Sequence, residues 1–198
     1  MNMFDWWFHC GVFGQTKAWA RAALVGLLAC SYPVCADQTD ARLSGLFNDL
    51  KVSESLGSAL SVERQIWAIW SEVEGERVER EMVVGARALQ ARDWPRAIAA
   101  FTKVVELAPQ FAEGWNKRAT AYYLADDLDA SALDIHTTLS LEPRHFGALS
   151  GMGLIFLQQG DLAGALMAFE QVLRVNPQSV PARTHVRELR TRLRRGAV

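Results

Sequence analysis

The residues in this chain that could do chemistry are not spaced for catalysis. His136, His145 and His185 each lack a second histidine or a carboxylate four positions away, the spacing that sets two zinc ligands on one helix face. Gly147, Gly151 and Gly153 form a glycine-rich stretch, but no Lys-Ser or Lys-Thr pair follows to complete a phosphate loop. Ser150 has a glycine only after it, so the Gly-x-Ser-x-Gly nucleophile elbow is not met. Asp126, Asp127 and Asp129 cluster where a helix is expected to start, and capping accounts for them. Cys10, Cys30 and Cys35 all fall within the first 36 residues. A chain beginning at Asp37 has no thiol for a disulfide framework or a thiolate metal site. No catalytic residue, metal site or cofactor is expected. What remains is recognition by a surface, and the elements must build that surface.

A repeat sets the elements. Pro109, Pro143 and Pro177 lie 34 residues apart twice over, and the frames 78–111, 112–145 and 146–179 share their columns. A period of this length belongs to stacked helix pairs. Asp93, Asp127 and Asp161 share one column, each expected to cap a second helix with its side-chain oxygen. Ala97, Ser131 and Ala165 form a column of small residues where a helix can pass close to its neighbour. Phe101, Ile135 and Phe169 follow, then Val104, Thr138 and Val172. Each second helix runs up to its proline, which cannot continue it without losing a bond. The first helices carry small residues at Gly85, Ala119 and Gly153.

On these columns the chain resembles the tetratricopeptide repeat (TPR) family. Gly85, Ala97, Phe101 and Pro109 meet that family's preferences in the first frame. Trp115, Tyr122 and Pro143 meet them in the second, and Gly153, Ala165, Phe169 and Pro177 in the third. Arg118, where the family prefers Leu, and Thr138, where it prefers Ala, depart from the pattern. The resemblance implies an all-α fold: an α-solenoid of stacked antiparallel helix pairs, with three TPR units over 78–179.

Three further segments flank the repeats. In 1–36, Lys17 and Arg21 precede an apolar run, Ala22 to Cys30, and small residues at Val34-Cys35-Ala36 suit a signal peptidase. The run is too short to span a bilayer, so no transmembrane segment is expected. A signal peptide cut near Ala36 is expected, with a periplasmic or secreted product in a bacterium. Leu27-Leu28-Ala29-Cys30 loosely resembles a bacterial lipobox, and the alternative is a lipoprotein anchored at Cys30. In 37–77, Leu43, Leu46, Phe47 and Leu50 recur at helical spacing, as do Ile66, Trp67, Ile69, Trp70 and Val73. This is expected to be a degenerate repeat or N-terminal cap helix pair stacked on the first repeat, terminal units of a solenoid being atypical. In 180–198, Val186, Leu189 and Leu193 make a narrow apolar stripe among six arginines, which reads as a basic C-terminal capping helix. The formal charge of −1, with no other long basic run, lacks the footprint of a nucleic-acid binder.

Trp67, Trp70, Trp94 and Trp115 fall at core positions of the frame. Beside the core stripe, each first helix carries a second one, at frame positions 2, 5, 9 and 12. By the resemblance, this stripe lines a concave groove that grips peptides. It reads Glu79, Met82, Ala86 and Leu89, then Glu113, Asn116, Thr120 and Tyr123, then Gly147, Ser150, Leu154 and Leu157. The expected ligand-binding residues are Asn116, Lys117, Thr120, Tyr123, Met82, Leu89, Leu154 and Leu157. Met82 and Ala86 stand where family members that clamp a C-terminal carboxylate carry the lysine–asparagine pair, so that job is not implied. The expected function is a non-catalytic protein–protein interaction scaffold that binds a peptide segment or helix of a partner. The alternative is a structural subunit of a bacterial envelope complex, docked through the apolar face of the 37–77 helix pair.

Overall fold

Asp93, Asp127 and Asp161 each end a turn and start a helix, and the turns are alike in detail. Their side chains accept from the backbone N–H of Arg96, Ala130 and Gly164, satisfying donors the first helical turn leaves free. The residue before each aspartate has positive φ: 57° at Arg92, 65° at Asp126 and 79° at Gly160. Each aspartate N–H reaches back to the carbonyl of Ala88, Tyr122 or Phe156, closing the preceding helix in a left-handed cap. A left-handed residue suits glycine, and only the third repeat supplies one.

These turns sit in a computed structural model that describes residues 40–196. The leader and the lipid site expected within 1–36 lie outside the described residues. Among the described residues the helices are α1 (Ala41–Val52), α2 (Leu56–Ser71), α3 (Glu76–Gln90), α4 (Trp94–Leu107), α5 (Ala112–Leu124), α6 (Leu128–Leu141), α7 (Phe146–Gln158), α8 (Leu162–Val175) and α9 (Val180–Gly196), with no strand. None of them is long and apolar enough to cross a membrane. The three repeats are the helix hairpins α3–α4, α5–α6 and α7–α8. Each second helix ends alike, with the N–H of Ala108, Glu142 or Asn176 donating to the carbonyl four residues back before the proline.

Packing within each hairpin rests on paired sizes. A Cβ placed on Gly85 would come within 2.5 Å of the Phe101 ring, and one on Gly153 within 2.8 Å of Phe169. The middle repeat solves the same crossing with Ala119 against the smaller Ile135. Ala97, Ser131 and Ala165 are buried, and the Ser131 hydroxyl donates to the Ala119 carbonyl at 2.9 Å. α9 closes the array on α8 with Ala182, Val186 and Leu189 buried and all six of its arginines exposed.

The apolar interior forms two clusters. A small one is centred on the first repeat: Val78, Ala88, Ala97, Phe101, Val104 and Phe111, with Ala121 of α5. A large one joins α1 and α2 to the second and third repeats and α9. Arg118 stands where the first two repeats meet. Its guanidinium holds Asp134 with two bonds of 2.7 and 2.8 Å and lies 4.9 Å from the Trp115 ring centre. The Asp134 partnership, opposed by burial, raises the Arg118 pKa further. Thr138 turns its hydroxyl onto the Asp134 carbonyl, so both departures from the family pattern lie in one polar joint. Of the four tryptophans expected in the core, Trp70 alone is fully buried. Trp67, Trp94 and Trp115 are half-buried, and the Trp115 indole N–H donates to the Pro109 carbonyl at 2.9 Å. An indole whose nitrogen needs an acceptor settles at an edge more readily than in an apolar centre.

Candidate interaction surface

Asp40 and Ser55 cap α1 and α2 through bonds to the N–H of Arg42 and Ser58. The pair buries Leu43, Phe47 and Leu50 from α1 and Ile66, Ile69 and Trp70 from α2. Outside the hairpin its main contacts are with α5 and α8. It therefore does not stack on the first repeat as the sequence suggested. It crosses the N-terminal ends of the first helices of later repeats. The physical reason is the large apolar face, which the small cluster around the first repeat cannot cover and the larger one can. The face expected to dock an envelope complex is thus occupied inside the chain.

Beneath α2 lies a buried polar centre. Trp70 stacks on the His145 imidazole with centroids 4.2 Å apart and planes 8° from parallel. Trp67 meets His145 and Phe146 edge-on, at 5.5 and 5.2 Å. His145 caps α7, its Nδ1 accepting from the Ala148 N–H at 3.2 Å. The proton must then sit on Nε2, which donates to Glu113 Oε2 at 3.1 Å. The Asn116 amide donates to the same oxygen at 2.8 Å, and Lys117 pairs with Oε1 at 2.9 Å. Glu113 and His145 are both 0% exposed. Burial pushes the Glu113 pKa up, but His145 and Lys117 outweigh it and hold the carboxyl below its ordinary range.

Two bonds tie the hairpin to the loop before α9. Asn176 donates to Glu63 at 2.9 Å, and the Gln178 amide donates to the Ser53 carbonyl at 2.9 Å. Arg144, paired with Glu142, lies 4.2 Å from the Phe47 ring centre. Gly147 lets Trp67 approach: a Cβ there would sit 2.8 Å from Trp67 Cη2.

The expected ligand-binding residues divide into three groups. Asn116 is buried, and Lys117 pairs with Glu113 and lies 5.8 Å from the Trp67 ring centre, so both are engaged within the chain. Thr120 is exposed, its hydroxyl turned back onto the Asn116 carbonyl. Tyr123, Leu154 and Leu157 are half-buried against the large cluster, as are Met82 and Leu89 against the small one. Leu89, Tyr123 and Leu157 hold equivalent places in the three repeats and form a partly open column. The sequence set Glu113 on the groove stripe, where the structure buries it instead, and did not point to His145, Glu63, Asn176 or Gln178 as contacts. The available hint was a polar residue in each loop after the second and third prolines, a place where polarity ordinarily means exposure. Among the described residues no group of three or more His, Cys, Asp or Glu could hold a metal ion.

Known proteins share this arrangement of repeats. The tetratricopeptide repeat family model matches residues 85–136 and 127–181. A TPR repeat-containing protein of Rhizobium etli is 32% identical over 152 residues, covering 77% of this chain and 74% of the relative. The small glutamine-rich tetratricopeptide repeat-containing protein 2 of Saccharomyces cerevisiae is 28% identical over 91 residues, 46% of this chain and 26% of that protein. Among solved structures, the Sgt2 TPR domain from Aspergillus fumigatus superposes with a TM-score of 0.59 at 19% identity, over 64% of this chain and 85% of that one. The first TPR of Spaghetti, bound to an HSP90 peptide, gives 0.57 at 20% identity, over 62% of this chain and 98% of that one. With its capped helix pairs in register and a relative matched over most of both lengths, the chain belongs to the tetratricopeptide repeat family.

Proposed function

We propose that this protein is a non-catalytic interaction scaffold that takes a peptide segment or helix of a partner protein along the open column of its first helices. The observation that carries the reading is the alignment of Leu89, Tyr123 and Leu157, half-buried at one position of three successive repeats. A row of apolar anchors at regular spacing fits an amphipathic helix or an extended segment with alternating apolar side chains. Exposed Ala86 and Thr120 beside it leave room for backbone approach. The first TPR of Spaghetti holds its HSP90 peptide on the same fold. The test is affinity capture from a lysate of the native host, using this chain and its Tyr123→Ala and Leu157→Asp variants as bait. The expected result is a captured protein that both variants lose while both remain folded at the assay temperature by circular dichroism. Some loss of melting temperature is expected, because both residues pack on the large cluster. Capture that survives both changes sinks the reading.

The protein is also proposed to be exported, on the Lys17 to Ala36 pattern. Intact mass of the protein from its native host tests this, with a chain starting at Asp37 as the expected result. Lipid on Cys30 would instead support the lipoprotein alternative. A cytoplasmic product that retains residues 1–36 would overturn export.

A further inference from the structure

We infer that the surface under α2 is a second helix-binding site, filled in the free chain by its own α1–α2 hairpin and able to accept a partner helix of the same chemistry instead. Three observations carry this. The hairpin is covalently joined to the first repeat through Glu72–Gly75, yet its main contacts lie on α5 and α8. An element held by one short tether, and packed away from it, can leave without unravelling the helix that follows. The polar floor of the site is also self-contained. Glu113 is partnered by Asn116, Lys117 and His145, and His145 caps α7, all from the repeats themselves. The floor stays assembled when the hairpin departs, as a preformed site requires. Finally, the hairpin fits imperfectly: Trp70 Nε1 is buried with no acceptor among the described residues, a cost that favours exchange.

The seated helix states what the site recognises. Glu63, Trp67 and Trp70 lie on one face at i, i+4 and i+7, the spacing of helix-in-groove anchors. Glu63 accepts from the Asn176 amide, Trp67 rests over Gly147 beside the Lys117 ammonium, and Trp70 covers His145. A competing partner is therefore an amphipathic helix with a carboxylate followed by aromatic residues four and seven positions on. Tethering gives the hairpin an effective concentration on the order of millimolar, so such a partner displaces it only when it binds well or when the hairpin is weakened.

The experiment uses the full chain and a fluorescent peptide with the sequence of residues 56–75. Fluorescence anisotropy should show at least tenfold tighter binding to the Trp67→Ala, Trp70→Ala double variant than to the parent, because the cis helix no longer competes. Adding Gly147→Ala, which crowds the place of the Trp67 ring, should weaken that binding at least tenfold. Native-state hydrogen exchange on the unaltered protein is the second measurement and holds even if the double variant folds poorly. Amides of 41–71 should exchange at least tenfold faster than those of the α5–α8 core. A double variant that binds no tighter than the parent overturns the inference, as does equal protection of the two regions. Tyr123→Ala and Leu157→Asp should leave peptide binding unchanged, so this site and the open column can fail separately.

Discussion

The two clusters of the interior are assembled on different principles. The one around the first repeat draws on Val78 to Ala121, residues that a helix hairpin and its successor bring together over short sequence distances. The other gathers Leu43, Trp70, Ala119, Phe146, Phe169 and Leu189, spanning most of the described chain. The first would form wherever the repeat is written. The second depends on a helix pair returning to repeats it does not adjoin. Between them stands Arg118 with Asp134, where the family's usual leucine would have continued one apolar core. Local periodicity builds repeats, and non-local burial decides what covers them.

The sharpest way to break this comparison is to empty one cluster at a time. Trp70→Ala should cost about 3–5 kcal/mol, as should Phe101→Ala, both measured by chemical denaturation. Only Trp70→Ala should release the amides of 41–71 to hydrogen exchange. If both variants release them equally, the clusters are not separate.

Overpacking tests the repeats' own crossings. Gly85→Ala and Gly153→Ala each drive a Cβ into a phenylalanine ring and should cost about 1–3 kcal/mol. Matched losses in melting temperature would confirm that the first and third repeats use one geometry. A neutral Gly85→Ala would contradict it.

The joint between the clusters makes its own prediction. Arg118→Leu leaves the buried Asp134 carboxylate without its main partner and should cost about 1–3 kcal/mol. Adding Asp134→Leu should recover most of that loss, because an apolar pair of similar volume can replace a buried ion pair. Failure to recover would give the ion pair a role in specifying the interface.

Acid titration probes the floor under α2 and has the smallest expected effect. Glu113 faces Lys117 and Asn116 on its own helix and His145 ahead of α7, with the Trp70 indole stacked on that imidazole. Its pKa is lowered in the folded state, so its contribution to stability is fully present above the ordinary glutamate range. That contribution is lost as pH falls through the lower, folded value. Glu113→Gln should lower stability at neutral pH, where the ionised carboxylate contributes, and change little in acid, so that the acid limb of the stability curve flattens. An acid limb as steep as the parent's would mean other carboxylates set it.

The period of prolines and aspartates was enough to place every repeat turn, because caps and helix breaks act within a few residues. The small column at Ala97, Ser131 and Ala165 was equally legible, since the interhelix crossing inside a hairpin is fixed by loop length and side-chain size. The reach of α2 was not. Its amphipathic pattern announced that Ile66, Ile69 and Trp70 needed cover, but hydrophobic burial has no direction, and a pattern cannot say which of several apolar surfaces will supply it. Nor could sequence show that His145, Glu142 and Asn176 in the inter-repeat loops are buried, for polar loop residues bury only when another element lands on them. The sequence by itself determined the helices, their caps and their pairing, all products of local geometry. The tertiary structure alone decided where the N-terminal pair lies and therefore how much of the first-helix stripe stays open, because that outcome rests on long-range burial.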